Sequence, residues 1–198
     1  RSSDLNTYHL GNITLAGGEL AWANPSCLST SNCATWGTWM IDGTITVTND
    51  STISAEGITF NGAGGNTFNV SAGKTLTVTG SFFKSSSASD TGFIKTGTGT
   101  MYLNPTGSYN TYVGSTTISA GTLSLTGTGS IANSSSIINN ATFNISGTSS
   151  GASIISLAGN SSGSTVLGSK TLTITAGADT FAGVISGTNG NLTIAGGT

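Results

Sequence analysis

Short runs with apolar residues at every second position recur along the whole chain, each closed by Gly, Asn or Ser. The clearest occupy residues 12–15, 44–48, 58–60, 67–70, 75–79, 100–103, 122–125, 142–145, 171–174 and 191–194. Thr75-Leu76-Thr77-Val78-Thr79 shows the pattern: Leu76 and Val78 fall on one face, and the three threonines fall on the other. A period of two is that of a pleated strand, whose successive side chains point to opposite faces. No stretch of 11 or more residues sustains the 3.6-residue period of a helix. The pattern predicts many short strands and no long helix.

Equivalent strands return about every 20 residues, as from Leu123-Ser124-Leu125 to Phe143-Asn144-Ile145. Such a period points to a solenoid, in which one coil cannot bury its apolar face until the next stacks upon it. A sandwich or an antiparallel barrel is the competing architecture for many short strands. The turns are Gly-Gly, Ala-Gly, Gly-Ala and Ser-Gly rather than the Asn-Gly or Asp-Gly of tight hairpins. The outward positions repeat Thr, Ser and Asn, which form ladders when parallel coils stack in register. We therefore expect residues 1–198 to form one all-β domain of nine or ten coils, spaced about 4.8 Å apart.

Composition narrows the function more than it narrows the fold. Only 6% of the 198 residues are charged, with Lys+Arg 5 against Asp+Glu 7. Five scattered cations cannot neutralise a phosphate backbone, so nucleic acid is not an expected partner. No apolar run approaches the roughly 18 residues of a membrane-spanning helix. Disorder, the other meaning of low charge with much Gly and Ser, conflicts with the regular spacing of Ile, Leu, Val and Phe.

Cys27 and Cys33, the only cysteines, are separated by loop-forming residues. With no second Cys/His pair and no CxxC spacing, neither a metal site nor a redox pair fits. A structural disulfide closing a small surface loop is expected, which implies an oxidising compartment. Trp22, Trp36 and Trp39 crowd the same stretch. Residues 22–40 read as a disulfide-pinned loop or cap that departs from the coil rhythm. The three indoles either cover the open end of the solenoid or form a binding surface for sugars or proteins.

Catalytic chemistry is poorly provided for. The acids are Asp4, Glu19, Asp42, Asp50, Glu56, Asp90 and Asp179. Asp42 and Asp50 flank one strand and Glu56 follows in the next turn, so a glycan-active site using paired carboxylates would have to assemble there. The only histidine, His9, has no Gly-x-Ser-x-Gly nucleophile elbow to serve. Turns such as Gly62-Ala63-Gly64-Gly65 lack the Asp of calcium-binding repeats. No enzyme, cofactor or metal is expected. Thr-x-Thr at 44/46/48, 75/77/79 and 171/173/175 suggests an ice-binding array, but its uneven spacing predicts a ragged one.

One stretch carries a more specific signature. Residues 95–125 contain Lys95-Thr96-Gly97-Thr98-Gly99-Thr100-Met101-Tyr102-Leu103, then Asn110-Thr111-Tyr112-Val113-Gly114-Ser115-Thr116-Thr117-Ile118, then Ala120-Gly121-Thr122-Leu123. The order and spacing resemble the passenger-associated repeat of bacterial autotransporters, interrupted by Asn104-Pro105-Thr106-Gly107 where that repeat usually has a plain turn. Residues 172–187 resemble the coil that commonly lies near such a repeat. The resemblance implies a right-handed, single-stranded parallel β-helix at the surface of a Gram-negative cell. It also implies a piece of a longer passenger, exported by a C-terminal membrane β-barrel outside this chain. The repeat brings no binding or catalytic residues with it. The implied role is an adhesin-like or structural stalk, whose partners are a host-surface or extracellular protein or glycan, or copies of itself. The alternatives are a self-associating fibre or layer subunit, which low charge would favour by weakening repulsion between copies, and a β-helix glycan-active enzyme.

Overall fold

The computed structural model describes residues 7–21, 38–55, 57–60, 66–83, 90–105 and 110–197. Among these residues there is no helix, and every strand pairing is parallel. The chain coils as a β-solenoid, and each coil visits three walls in turn.

The first wall stacks Asn66–Val70, Gly92–Thr96, Ser115–Ile118, Ile137–Asn139 and Leu157–Ala158. The second stacks Thr75–Val78, Thr100–Leu103, Thr122–Gly127, Thr142–Thr148, Ser164–Val166 and Val184–Ser186. The third begins with Thr7–Leu10, Thr38–Ile41, Ile58–Phe60 and Phe82–Phe83, and resumes with Ala152–Ile154, Thr171–Ile174 and Asn191–Ile194.

Two long strands, Ile13–Leu20 and Thr44–Ile53, join the first two walls into one 13-stranded sheet. Residues 44–47 pair with Asn66–Val70, and residues 51–53 pair with Thr75–Val78. Between them Thr48, Asn49 and Asp50 are all exposed, so the in-out alternation lapses while the strand turns the corner.

The predicted period of two builds the interior. Ile45, Val47, Ile53, Phe68, Val70, Leu76, Val78, Met101, Leu123 and Leu125 are all fully buried. Stacked residues form columns along the axis, such as Leu76–Met101–Leu123–Phe143 inside the second wall. Outside the same wall, Thr75, Thr100, Thr122 and Thr142 form an unbroken column continued by Ser164. The adjacent outward column is mixed: Thr77, Tyr102, Ser124 and Asn144. On the second wall the described residues thus form one threonine file, not a flat two-file array.

The coils are longer and fewer than the sequence period suggests. Stacked partners lie 32 residues apart from Leu15 to Val47 and 27 from Phe68 to Lys95. The interval is 19 from Trp39 to Ile58 on the third wall, and it settles at 20 toward the C-terminus, as from Ile137 to Leu157. Among the described residues, eight segments stack on the second wall, counting 18–20 and 51–53. At about 4.8 Å per step they span about 35 Å.

Candidate functional site

The repeat segment places its polar residues in unexpected surroundings. Lys95 occupies an inward column of the first wall, stacked between Phe68 and Ile118, and is completely buried. Its Nζ donates to the carbonyls of Thr96 at 2.7 Å, Gly97 at 2.8 Å and Ala120 at 3.2 Å. Three ammonium protons therefore meet three backbone oxygens at the corner between the first and second walls. Burial pulls its pKa from 10.5 down to about 8, because a low dielectric disfavours the charged form. At neutral pH the group remains an ammonium.

Beside it lies a cluster of five aromatic rings: Phe60, Phe68, Phe82, Phe93 and Tyr112. Phe60 contacts Phe82 at a centroid distance of 4.9 Å and Phe93 at 5.4 Å, in tilted and edge-on arrangements. Tyr112 Oη lies 2.5 Å from Thr116 Oγ1, which lies 2.9 Å from Ser134 Oγ, and Ser134 Oγ donates to the Gly114 carbonyl at 2.9 Å. Burial drives the Tyr112 phenol well above its ordinary value of 10.0 and keeps it neutral.

Three buried asparagines tie coil to coil. Asn66 Nδ2 donates to Thr91 Oγ1 at 3.0 Å and to the Gly92 carbonyl at 2.9 Å. Asn110 Oδ1 accepts from the Phe82 amide at 2.8 Å, and its Nδ2 donates to the Ser130 carbonyl at 2.8 Å. Asn139 Nδ2 reaches the Ser164 carbonyl at 2.9 Å and Thr165 Oγ1 at 3.1 Å. Each amide replaces a backbone bond near a corner or a gap in the ladder, where an unpaired buried group would be costly.

Asp42 and Asp50 do not stand together. Asp42 is exposed just before the first-wall strand, and Asp50 is exposed at the next corner. Residues 44–47, a full width of the first wall, separate them. Asp50 Oδ1 accepts the Thr75 amide of the following coil at 2.8 Å, which makes it a strut between coils. Glu56, the third member of the proposed grouping, lies outside the described residues. Asp179, near the other end, takes a hydrogen bond from Ser136 Oγ at 2.7 Å and is held below the usual carboxylate range by Ser136 and Ser156.

Of the three tryptophans, Trp39 lies on Thr38–Ile41, half-buried and packed against the core, with Ile58 as its strand partner. Trp22, Trp36, Cys27 and Cys33 lie outside the described residues, as does nearly all of the 22–40 excursion. His9 falls on the strand Thr7–Leu10.

Two hollows remain. A polar groove of about 420 Å³ is lined by Thr128, Ser130, Ser150, Ser153, Thr171 and Thr173. A second, of about 440 Å³, is floored by Leu157, Ile174, Phe181 and Ile185 at the C-terminal end, with Leu192 and Ile194 exposed beside it. Among the described residues no cluster of His, Cys, Asp and Glu has the composition to hold a metal ion.

Sequence reading missed the internal partners of Lys95, Asn66, Asn110 and Asn139. The signal was a polar residue in an inward column. It becomes visible only once strand phase and register are known.

In comparison with known families, residues 93–125 match the passenger-associated-transport-repeat family. No curated protein and no solved structure matches the chain. The matched segment holds Lys95, Asn110 and Tyr112, which fasten coil to coil and fill the interior. The chain is thus a β-solenoid carrying a passenger-associated transport repeat at residues 93–125, consistent with a segment of an autotransporter passenger.

Proposed function

We propose that this chain is a rigid, non-catalytic stretch of an autotransporter stalk at the surface of a Gram-negative bacterium, with adhesin-like contacts on its flanks and loops. The observation that carries the reading is the repeat built into a continuous 13-stranded sheet of parallel coils. A stack of this kind transmits length rather than motion, because each coil bonds only to its neighbours. Its outer faces offer hydroxyl and amide groups, from the Thr75–Thr142 column to the groove between Ser130 and Thr173. Such surfaces suit hydrogen bonding to an extracellular glycan, a host-surface protein or a copy of the same rod. Export would be served by the chain's own C-terminal membrane barrel. Asp42 and Asp50 stand at different corners, which weakens a hydrolytic reading built on those two acids.

Display and binding test the two parts separately. The 198-residue chain, fused to a C-terminal autotransporter barrel in a Gram-negative host, should become accessible to protease added outside intact cells. Retention inside the cell would count against the stalk. The purified chain should give saturable binding on an array of host glycans and matrix proteins; a blank array would reduce the role to that of a spacer.

A further inference from the structure

The pattern that builds this solenoid does not by itself choose the register of one coil on the next. Thr100 stacks on Thr122 and Met101 on Leu123. Sliding the second strand by two residues would put Thr100 beside Ser124 and Met101 beside Leu125, with apolar groups still inside and hydroxyls still outside. Side-chain phase therefore penalises a one-residue slip heavily and a two-residue slip hardly at all.

The buried polar groups are different, because each donates to or accepts from particular atoms of the adjacent coil. Lys95 finds its third acceptor on Ala120, across the coil boundary. Asn110 spans three coils, accepting from Phe82 and donating to Ser130. Asn66 and Asn139 each spend both protons of the amide on the following coil. A two-residue shift moves those acceptors about 6.6 Å along the strand, beyond any hydrogen bond. It would leave the buried ammonium one acceptor short and the buried amides without their inter-coil partners.

We propose that Asn66, Lys95, Asn110 and Asn139 are the register-setting residues of this rod: they select one stacking among several that the apolar and hydroxyl columns allow. A charge or amide placed inside to fix alignment, at no gain in stability over an apolar side chain, is the best-attested use of such groups.

Disulfide trapping reads register directly. Tyr102 and Ser124 are partners in the outward-phase column of the second wall, with Ser124 itself buried, within the two coils that Lys95 joins. Cysteines at stacked positions lie within the 4.4–6.8 Å Cα range of a disulfide, whereas positions displaced by two residues lie about 8 Å apart and cannot be bridged. Three pairs are compared after refolding and mild oxidation, with linked peptides identified by mass spectrometry: Tyr102→Cys with Ser124→Cys, with Thr122→Cys and with Thr126→Cys. With Lys95 and Asn110 intact, the Ser124→Cys pair should link at least tenfold more than either displaced pair. In Lys95→Met, and more strongly in Lys95→Met with Asn110→Leu, the displaced pairs should rise to a comparable yield. The proposal fails if linkage stays exclusive to the Ser124→Cys pair in both backgrounds. It fails equally if Lys95→Met alone abolishes folding, since the lysine would then be needed for stability rather than alignment.

Discussion

Individual residues in this rod are constrained chiefly by the backbone of the next coil. Gly92 has φ +71°, and a Cβ there would lie 1.9 Å from the Ser115 carbonyl oxygen. Gly11 has nothing within 4 Å of its Cβ position. Gly92→Ala should therefore cost at least about 2 kcal/mol of stability, while Gly11→Ala stays within about 0.5 kcal/mol, as read from urea midpoints. Lys95 adds a pH dependence whose sign follows from its lowered pKa. Between about 8 in the folded state and 10.5 in the unfolded chain, the unfolded state binds more protons, so stability rises with pH through that window. Tyr112 acts in the opposite sense above pH 10, where the unfolded phenol ionises and the buried one does not. The wild-type urea midpoint should rise from about pH 7.5 to about 9.5 and fall beyond about 10.5; Lys95→Met should lose the rise and keep the fall. A flat profile below pH 10 in the wild type would show that the carbonyl cage holds the lysine charged throughout. Lys95 was visible in the sequence as part of a motif, but its role was not. A lysine in a threonine-rich run reads as solvated until its column proves to be an internal one.

At the scale of the element, the strands that were legible are those with at least two apolar residues in strict alternation, such as Thr75–Val78 and Thr171–Ile174. Gly92–Thr96 and Ile137–Asn139 lack that contrast, because Ile94 and Ile138 point outward. They are strands because the neighbouring coils supply partners, which no local pattern records. The third wall illustrates the same dependence: around residues 110–112 and 130–132 the side chain of Asn110 substitutes for the ladder. Packing energy concentrates where the repeat meets its N-terminal neighbours, in the five-ring cluster. Phe60→Ala removes the ring that touches the other four and should cost about 3–5 kcal/mol. Tyr102→Ala, on the outer face, should cost no more than about 1 kcal/mol. Equal losses at the two sites would mean that the interior is not the main source of cohesion.

For the molecule as a whole, cohesion comes from parallel backbone ladders and a narrow apolar interior, with few charges available for ion pairs. Its melting temperature should move by less than about 3 °C between 0.05 and 1 M sodium chloride, since screening has little to act upon; a larger fall would reveal ion pairs that matter. The two-residue alternation and the scarcity of charge determined that the chain is all-β, stacks its strands and faces water with hydroxyls, because side-chain direction in a strand is a local property. The repeat at 95–125 was legible for the same reason: its spacing is written in consecutive residues. The number of coils was not, since excursions between stacked strands vary from coil to coil and leave no mark in the period. Tertiary structure alone decided that Asp42 and Asp50 stand at different corners, that Trp39 packs on the core, and that Lys95 and three asparagines turn inward. Each depends on where a corner falls and which coil lies next, and those are fixed by contacts between residues 19 or more positions apart.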